Sequence, residues 1–310
     1  MPRFSQAAAT KDSTNNLLEE SSFEDDSVSC VIPFTRVGNL IIIKAKADSV
    51  EGNFILDTGA PYLILNIVYF RKYPATTISD ESQTSLSGIA DVIQRTKLRQ
   101  FSMGALDYFQ KEADLADLGH LENRKGIKIL GLIGLKLLAR CEMIVDYENS
   151  LIYMHRIGRK ERRNFMSIQL AADTAYTTLP IDIVNDKIIA QTEVDNKKFR
   201  FVMDSGAETN IIDSRLPNSF FENVPITGRF NIRGTGSTTV EALQGNLNHM
   251  KLGNNELRNL PVLIANLERT CFSVSTCANG VLGFEFMPLR KIGFNFVSRK
   301  MYLWKSVVPI

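Results

Sequence analysis

The chain has 310 residues, 44% of them hydrophobic and 23% charged, with a formal net charge of +2. That length allows two domains or lobes with a core each, and the composition is that of an ordinary globular protein. The small charge does not point to nucleic acid or an anionic membrane, and no apolar run reaches the roughly 18–20 residues of a spanning helix.

Residues 1–30 are rich in Ser, Thr, Asn, Asp and Glu and poor in large apolar side chains. Such a segment cannot bury enough surface to offset its ordering entropy, so it reads as a disordered tail. It lacks the apolar stretch of a secretory signal. The expected compartment is the cytoplasm by default, or an exported one if a signal lies upstream. Leu40-Ile41-Ile42-Ile43 and residues 53–56 are short apolar runs of the kind that form buried strands, and the second leads directly into Asp57-Thr58-Gly59-Ala60. Further on come a Gly131-Leu132-Ile133-Gly134 block, a stretch at 135–140 long enough for one or two helical turns, and a hairpin turn at Glu148-Asn149-Ser150.

Residues 158–174 form the expected linker. Their basic run Arg159-Lys160-Glu161-Arg162-Arg163 reads as solvated chain in preference to a binding patch. After it the same order of parts returns. Lys187-Ile188-Ile189-Ala190 and residues 199–203 lead into Asp204-Ser205-Gly206-Ala207. Gly280-Val281-Leu282-Gly283 follows, then residues 284–289, where Pro288 sits badly for a helix, and a turn at Val297-Ser298-Arg299. The register is ungapped over the first block: Pro33 and Pro180 are 147 apart (180 − 33), as are Asp57 and Asp204 (204 − 57). The glycine blocks repeat at 149 (280 − 131). A periodic self-match of this kind defines the architecture before any single motif does. The expected units are 31–157 and 175–310, on either side of the linker.

One Asp-[Ser/Thr]-Gly tripeptide arises by chance in a chain this long about one time in seven. Two, each preceded by three apolar residues, followed by Ala and set 74 or 76 residues before a glycine block (131 − 57; 280 − 204), form a pattern and point to the aspartates. Two carboxyl groups about 3 Å apart cannot both ionise, so they hold one proton between them. Such a pair supplies a base for a water and an acid for an amide, and it titrates as a unit. Thr58 and Ser205 carry hydroxyls able to bond to the opposite strand, and Gly59 and Gly206 allow the tight turn that turns backbone N–H groups toward each carboxylate.

These two Asp-Thr/Ser-Gly-Ala motifs, each with its Gly-apolar-apolar-Gly block, resemble the pepsin and retropepsin superfamily of aspartic peptidases. The resemblance runs from about residue 31 to residue 304 and is to a fused pair of retropepsin-type lobes. It implies an all-β fold of two pseudo-two-fold-related β-barrel lobes with few short helices, and a cleft between them that takes an extended peptide or protein segment. It implies Asp57 and Asp204 as the catalytic pair, with Thr58, Gly59, Ser205 and Gly206 as its support. The glycine blocks would pack against the catalytic strands. Flap hairpins that close over substrate would carry Gly88 in one half and Gly234 and Gly236 in the other, or these are ordinary hairpins.

Two departures matter. Where retropepsins often have a substrate-binding aspartate, this chain has Pro61 and Glu208. Glu208 can keep part of that role and Pro61 cannot, so the halves are expected to grip substrate unequally. Ala60 and Ala207, also candidate substrate contacts, lack the hydroxyl that pepsin-like enzymes often have there. One hydrogen bond to the ionised carboxylate is lost, which raises the pair's apparent pKa values and predicts a weakly acidic optimum.

No cofactor or metal is expected. The three histidines (His120, His155 and His249) are scattered, and no CxxC, His-Glu-x-x-His, Gly-x-Ser-x-Gly, phosphate-loop or dinucleotide motif occurs. Cys271 and Cys277 are close enough to close a small loop, but free or buried thiols are the preferred reading without a secretion signal. The fused halves make a monomer the expectation. An active endopeptidase is favoured over a catalytically silent peptide-binding module of the same fold, because both aspartates and both hydroxyls are present.

Overall fold

The computed structural model describes residues 27–78, 84–85, 88–89, 93–163, 165–172, 175–233, 239–268 and 277–305. The strands of the first half are β1 (Val28–Val37), β2 (Leu40–Ala47), β3 (Val50–Leu56), β4 (Leu63–Asn66), β5 (Ala75–Ile78), β6 (Thr84–Ser85), β7 (Gly88–Ile89), β8 (Ile93–Met103), β9 (Leu106–Ala116), β10 (Gly131–Ile133), β11 (Cys141–Asp146) and β12 (Leu151–Arg156). Those of the second are β13 (Tyr176–Val184), β14 (Lys187–Val194), β15 (Lys197–Met203), β16 (Ile211–Asp213), β17 (Ile226–Arg233), β18 (Thr239–Leu252), β19 (Asn255–Ala265), β20 (Gly280–Leu282), β21 (Ile292–Asn295) and β22 (Lys300–Trp304). The helices are short: α1 (Ile67–Phe70), α2 (Gly119–Lys125), α3 (Leu135–Leu138), α4 (Ile168–Ala172) and α5 (Asn218–Phe221). The fold is therefore all-β with few helices, as the resemblance implied. No described helix is long and apolar enough to cross a membrane.

Strand pairing closes a six-stranded barrel in the first half, in the order β2–β3–β10–β4–β9–β8 and back to β2. The second half closes the same circuit, β14–β15–β20–β16–β19–β18 and back to β14. In each, the strand carrying the aspartate runs parallel to the glycine-block strand: Phe54 faces Gly131, and Phe201 faces Gly280. Those glycines are needed for contact. A Cβ on Gly131 would collide with the Ile64 carbonyl and the Phe54 ring, and one on Gly280 with the Ile211 carbonyl and the Phe201 ring. Period-two alternation fills the interiors, with Phe54 and Phe101 packed edge to face in the first and Phe201, Met203 and Met250 buried in the second.

A further sheet, β1–β12–β11–β21–β22–β13, joins the halves through β11 and β21, where Ile144 faces Gly293. Its outer strands switch sheets at the two prolines found in the repeat. β1 pairs with β12 up to Pro33 and with β2 from Phe34, and β13 pairs with β22 up to Pro180 and with β14 from Ile181. A residue with no N–H to donate suits the point where a strand changes partner. The next N–H is used at once: Phe34 donates to the Ser150 carbonyl and Ile181 to the Arg299 carbonyl, both at 3.0 Å.

Several expectations need correction. β1 begins at Val28, so the end of the 1–30 segment is strand. The linker is not wholly solvated: Leu170 of α4 is buried with Ile144, Tyr302 and Trp304. Pro288 lies inside a 3₁₀ turn, Met287–Leu289, near whose start a missing N–H costs nothing. Cys277 is disulfide-bonded, whereas a free thiol was expected. The expectation weighed compartment, and a disulfide forms where geometry brings two sulfurs together. Cys271 lies outside the described residues.

Candidate active site

β3 and β15 end on Asp57 and Asp204. Each aspartate continues the parallel ladder by one bond, Asp57 N–H to the Ile133 carbonyl and Asp204 N–H to the Leu282 carbonyl, both at 3.0 Å. The chain then turns, with Ala60 N–H donating to the Asp57 carbonyl at 3.2 Å and Ala207 N–H to that of Asp204 at 3.3 Å. The turn aims two N–H groups at each carboxylate. Asp57 Oδ1 accepts from Gly59 and Ala60 at 2.9 and 3.0 Å, and Asp204 Oδ1 from Gly206 and Ala207 at 2.8 and 3.2 Å. The residue after each glycine block holds the turn: Leu135 N–H donates to the Ala60 carbonyl at 2.8 Å and Phe284 N–H to the Ala207 carbonyl at 2.9 Å.

Four hydrogen bonds lock the two turns together. Thr58 N–H donates to Ser205 Oγ and Ser205 N–H to Thr58 Oγ1, each at 3.0 Å. Thr58 Oγ1 then donates to the Met203 carbonyl at 2.9 Å, and Ser205 Oγ to the Leu56 carbonyl at 2.8 Å. Both hydroxyls are buried, where these bonds are expensive to lose. The result sets the glycine of each turn against the carboxyl group of the other. A Cβ built on Gly59 would strike the Asp204 carboxylate, and one on Gly206 the Asp57 carboxylate. Only glycine leaves room for that approach.

Burial pushes the Asp57 carboxyl up to about 7, and the negative charge of Asp204 adds to the rise. The Lys187 ammonium and the N–H groups of Gly59 and Ala60 pull the other way. Lys187 opens β14 and donates its Nζ to the Gly59 carbonyl across the two halves. It was missed in the sequence. The one available signal was a break in the repeat, a lysine standing where the first half has Leu40 (187 − 147).

The remaining candidates divide. Ala60 and Ala207 sit at the site and serve it through their backbone. Glu208 has both oxygens engaged by α2 of the other half, Oε1 by Arg124 at 3.0 Å and Oε2 by Lys125 at 2.5 Å. The substrate-backbone role expected of it therefore competes with an ion pair already made. Pro61 accepts from Lys136 N–H at 3.0 Å through its carbonyl. Gly88 lies in β7, paired with Ser85 of β6 in a two-stranded sheet apart from the barrels. Gly234 and Gly236 lie outside the described residues.

Residues 190–286 match the family model described as aspartyl protease. The matched segment includes Asp204-Ser205-Gly206 and the Gly280 block, and Asp57 lies N-terminal to it. The match supports an aspartic-type peptidase as the class of protein to which this site points. Over that segment the chain is similar to aspartyl proteases of the retropepsin-like superfamily. No curated protein matches the chain.

Proposed function

We propose that the protein is an aspartic endopeptidase in which Asp57 and Asp204 act as one dyad, each supplied by one of two duplicated lobes, 31–157 and 175–310. The observation that carries this reading is the reciprocal Thr58–Ser205 lock, which sets each glycine of the turns against the opposite carboxyl group. A dyad holding one proton can do both halves of the chemistry. The ionised carboxylate takes a proton from a water as its oxygen attacks the scissile carbonyl, and the protonated carboxyl gives its proton to the carbonyl oxygen. Collapse of the tetrahedral species then returns a proton to the leaving nitrogen, and the C–N bond breaks. The substrate is an extended peptide or protein segment lying in the cleft between the barrels.

A carboxyl raised to about 7 keeps its proton through the weakly acidic range, so the singly protonated pair persists there. This supports a weakly acidic optimum, and a pH–rate profile peaking below about 3 would contradict it. The test of function is cleavage of a diverse peptide library by the purified full chain, with and without pepstatin. Cleavage blocked by the inhibitor is the expected result. Saturable peptide binding without cleavage at any pH would instead favour a silent peptide-binding module of the same fold.

A further inference from the structure

Lys187 follows the turn Asn185-Asp186, whose residues have φ of 46° and 57° and so fold the chain tightly back between β13 and β14. The matching turn of the first half holds Gly38, with φ of 60°, and Asn39, and leads to Leu40. Leu40 is buried in an apolar cluster with Ile42, Ile55 and Leu132. Lys187 instead crosses to the other half, and its ammonium donates to the carbonyl of Gly59, two residues after Asp57. The first-half turn also reaches across, with a neutral group: Asn39 Nδ2 donates to the Glu208 carbonyl at 2.8 Å. Both turns thus reach the opposite half, from adjacent rather than matching positions, and only the Lys187 contact brings a positive charge.

We propose that Lys187 is a positioning residue that holds the Asp57 turn through Gly59 and sets the pH range over which the Asp57/Asp204 pair carries one proton. The inference rests on the dyad reading and adds the device that tunes it. The charges acting on Asp57 are Asp204, at the end of β15, and Lys187, at the start of β14. The neighbouring charges, Asp186 of the turn and Lys136 of α3, are spent on each other at 3.3 Å. Burial and the like charge of Asp204 both disfavour ionisation. A fixed ammonium beside the pair favours every ionised form and lowers both macroscopic steps together. Lys187 thus offsets the desolvation that the barrels impose.

The test compares the wild-type full chain with Lys187→Leu, which installs the first-half residue, and Lys187→Arg, which keeps the charge. Two readouts are taken: ¹³C NMR titration of the aspartate carboxyl groups, and the pH profile of kcat/KM on a cleaved peptide. In Lys187→Leu both titration steps and both limbs of the profile move up by about one pH unit, and Lys187→Arg restores them to within about 0.3 of a unit. If Lys187→Leu does not fold, Lys187→Gln, which retains a donor for Gly59 without charge, shows the same upward move. Titration curves that superimpose on wild type overturn the proposal, as does a fall in kcat with both limbs unmoved. The carboxyl titration needs no catalysis. A shifted titration in a protein that cleaves nothing supports Lys187 and contradicts the endopeptidase reading, whereas cleavage with an unshifted titration does the reverse.

Discussion

Around Asp57 and around Asp204 the backbone makes the same bonds, and the side chains that dress it differ. Each carboxylate accepts from the two equivalent N–H groups of its own turn, and each turn is held by the residue after its own glycine block. Past that frame the halves diverge. The Asp57 side has Pro61, a lysine on the Gly59 carbonyl, and Tyr62 beneath the cations of Arg95 and Lys136. The Asp204 side has Glu208, paired with Arg124 and Lys125, and Thr209, whose hydroxyl donates to Glu285 at 2.8 Å. The common part is what a two-carboxylate reaction needs in duplicate. On the proposed dyad reading, the different part is where an asymmetric substrate and a single shared proton would be told one side from the other.

The largest effect should come from breaking the common part at its centre. Asp57→Asn and Asp204→Asn are each expected to lower kcat/KM for peptide cleavage by about 1,000-fold or more, with equal severity on the two sides, because neither half can act as both acid and base. One variant retaining near-wild-type activity would remove that half from the reaction.

Next is the lock. Thr58→Val leaves the Ser205 N–H and the Met203 carbonyl without their partner, and Ser205→Ala leaves the Thr58 N–H and the Leu56 carbonyl. Each should cost about 2–4 kcal/mol in urea unfolding, and the two should agree within about 1 kcal/mol. A large cost on one side alone would mean that the lock is not reciprocal.

The third prediction sharpens the difference between the halves through pH. The folded-state value for Asp57 is about 7 against an ordinary 3.8, so between those pH values the unfolded chain has released a proton that the folded chain still binds. Stability contributed by this group therefore falls as pH rises from about 4 to about 7 and levels off above that. Asp57→Asn cannot titrate, so its melting temperature relative to wild type should climb across that window and then stay constant. A difference that does not change with pH would contradict the raised value.

The smallest effect belongs to Glu208, whose side chain is 31% exposed. Glu208→Ala should cost about 1 kcal/mol or less at low ionic strength, and less again in 1 M salt, as measured by denaturant unfolding.

The common frame was legible in the sequence because it is made by backbone, and backbone geometry selects residue types strongly. Gly59, Gly206, Gly131 and Gly280 are glycines because a Cβ would collide, and the aspartates and their hydroxyl neighbours recur because the same turn is built twice. Pro33 and Pro180 mark the sheet switch for a similar reason. The dressing was not legible. Glu208 read as a candidate substrate contact because nothing near it in the chain shows that the last turn of α2, more than eighty residues away, brings Arg124 and Lys125 to it. Lys187 looked like the first residue of an ordinary strand, and its partner lies 128 residues away. Leu170 was hidden in a polar linker because its partners come from β11 and β22. Side-chain contacts between distant segments depend on where the barrels meet, which no local pattern encodes.

The most direct test of the two carboxyl groups acting as one unit is kcat/KM for the double variant Asp57→Asn with Asp204→Asn, set beside the two single variants. Groups that work together are non-additive. The double variant should fall no further than about the level of either single variant. Losses that multiply would show two independent contributions and contradict the shared dyad.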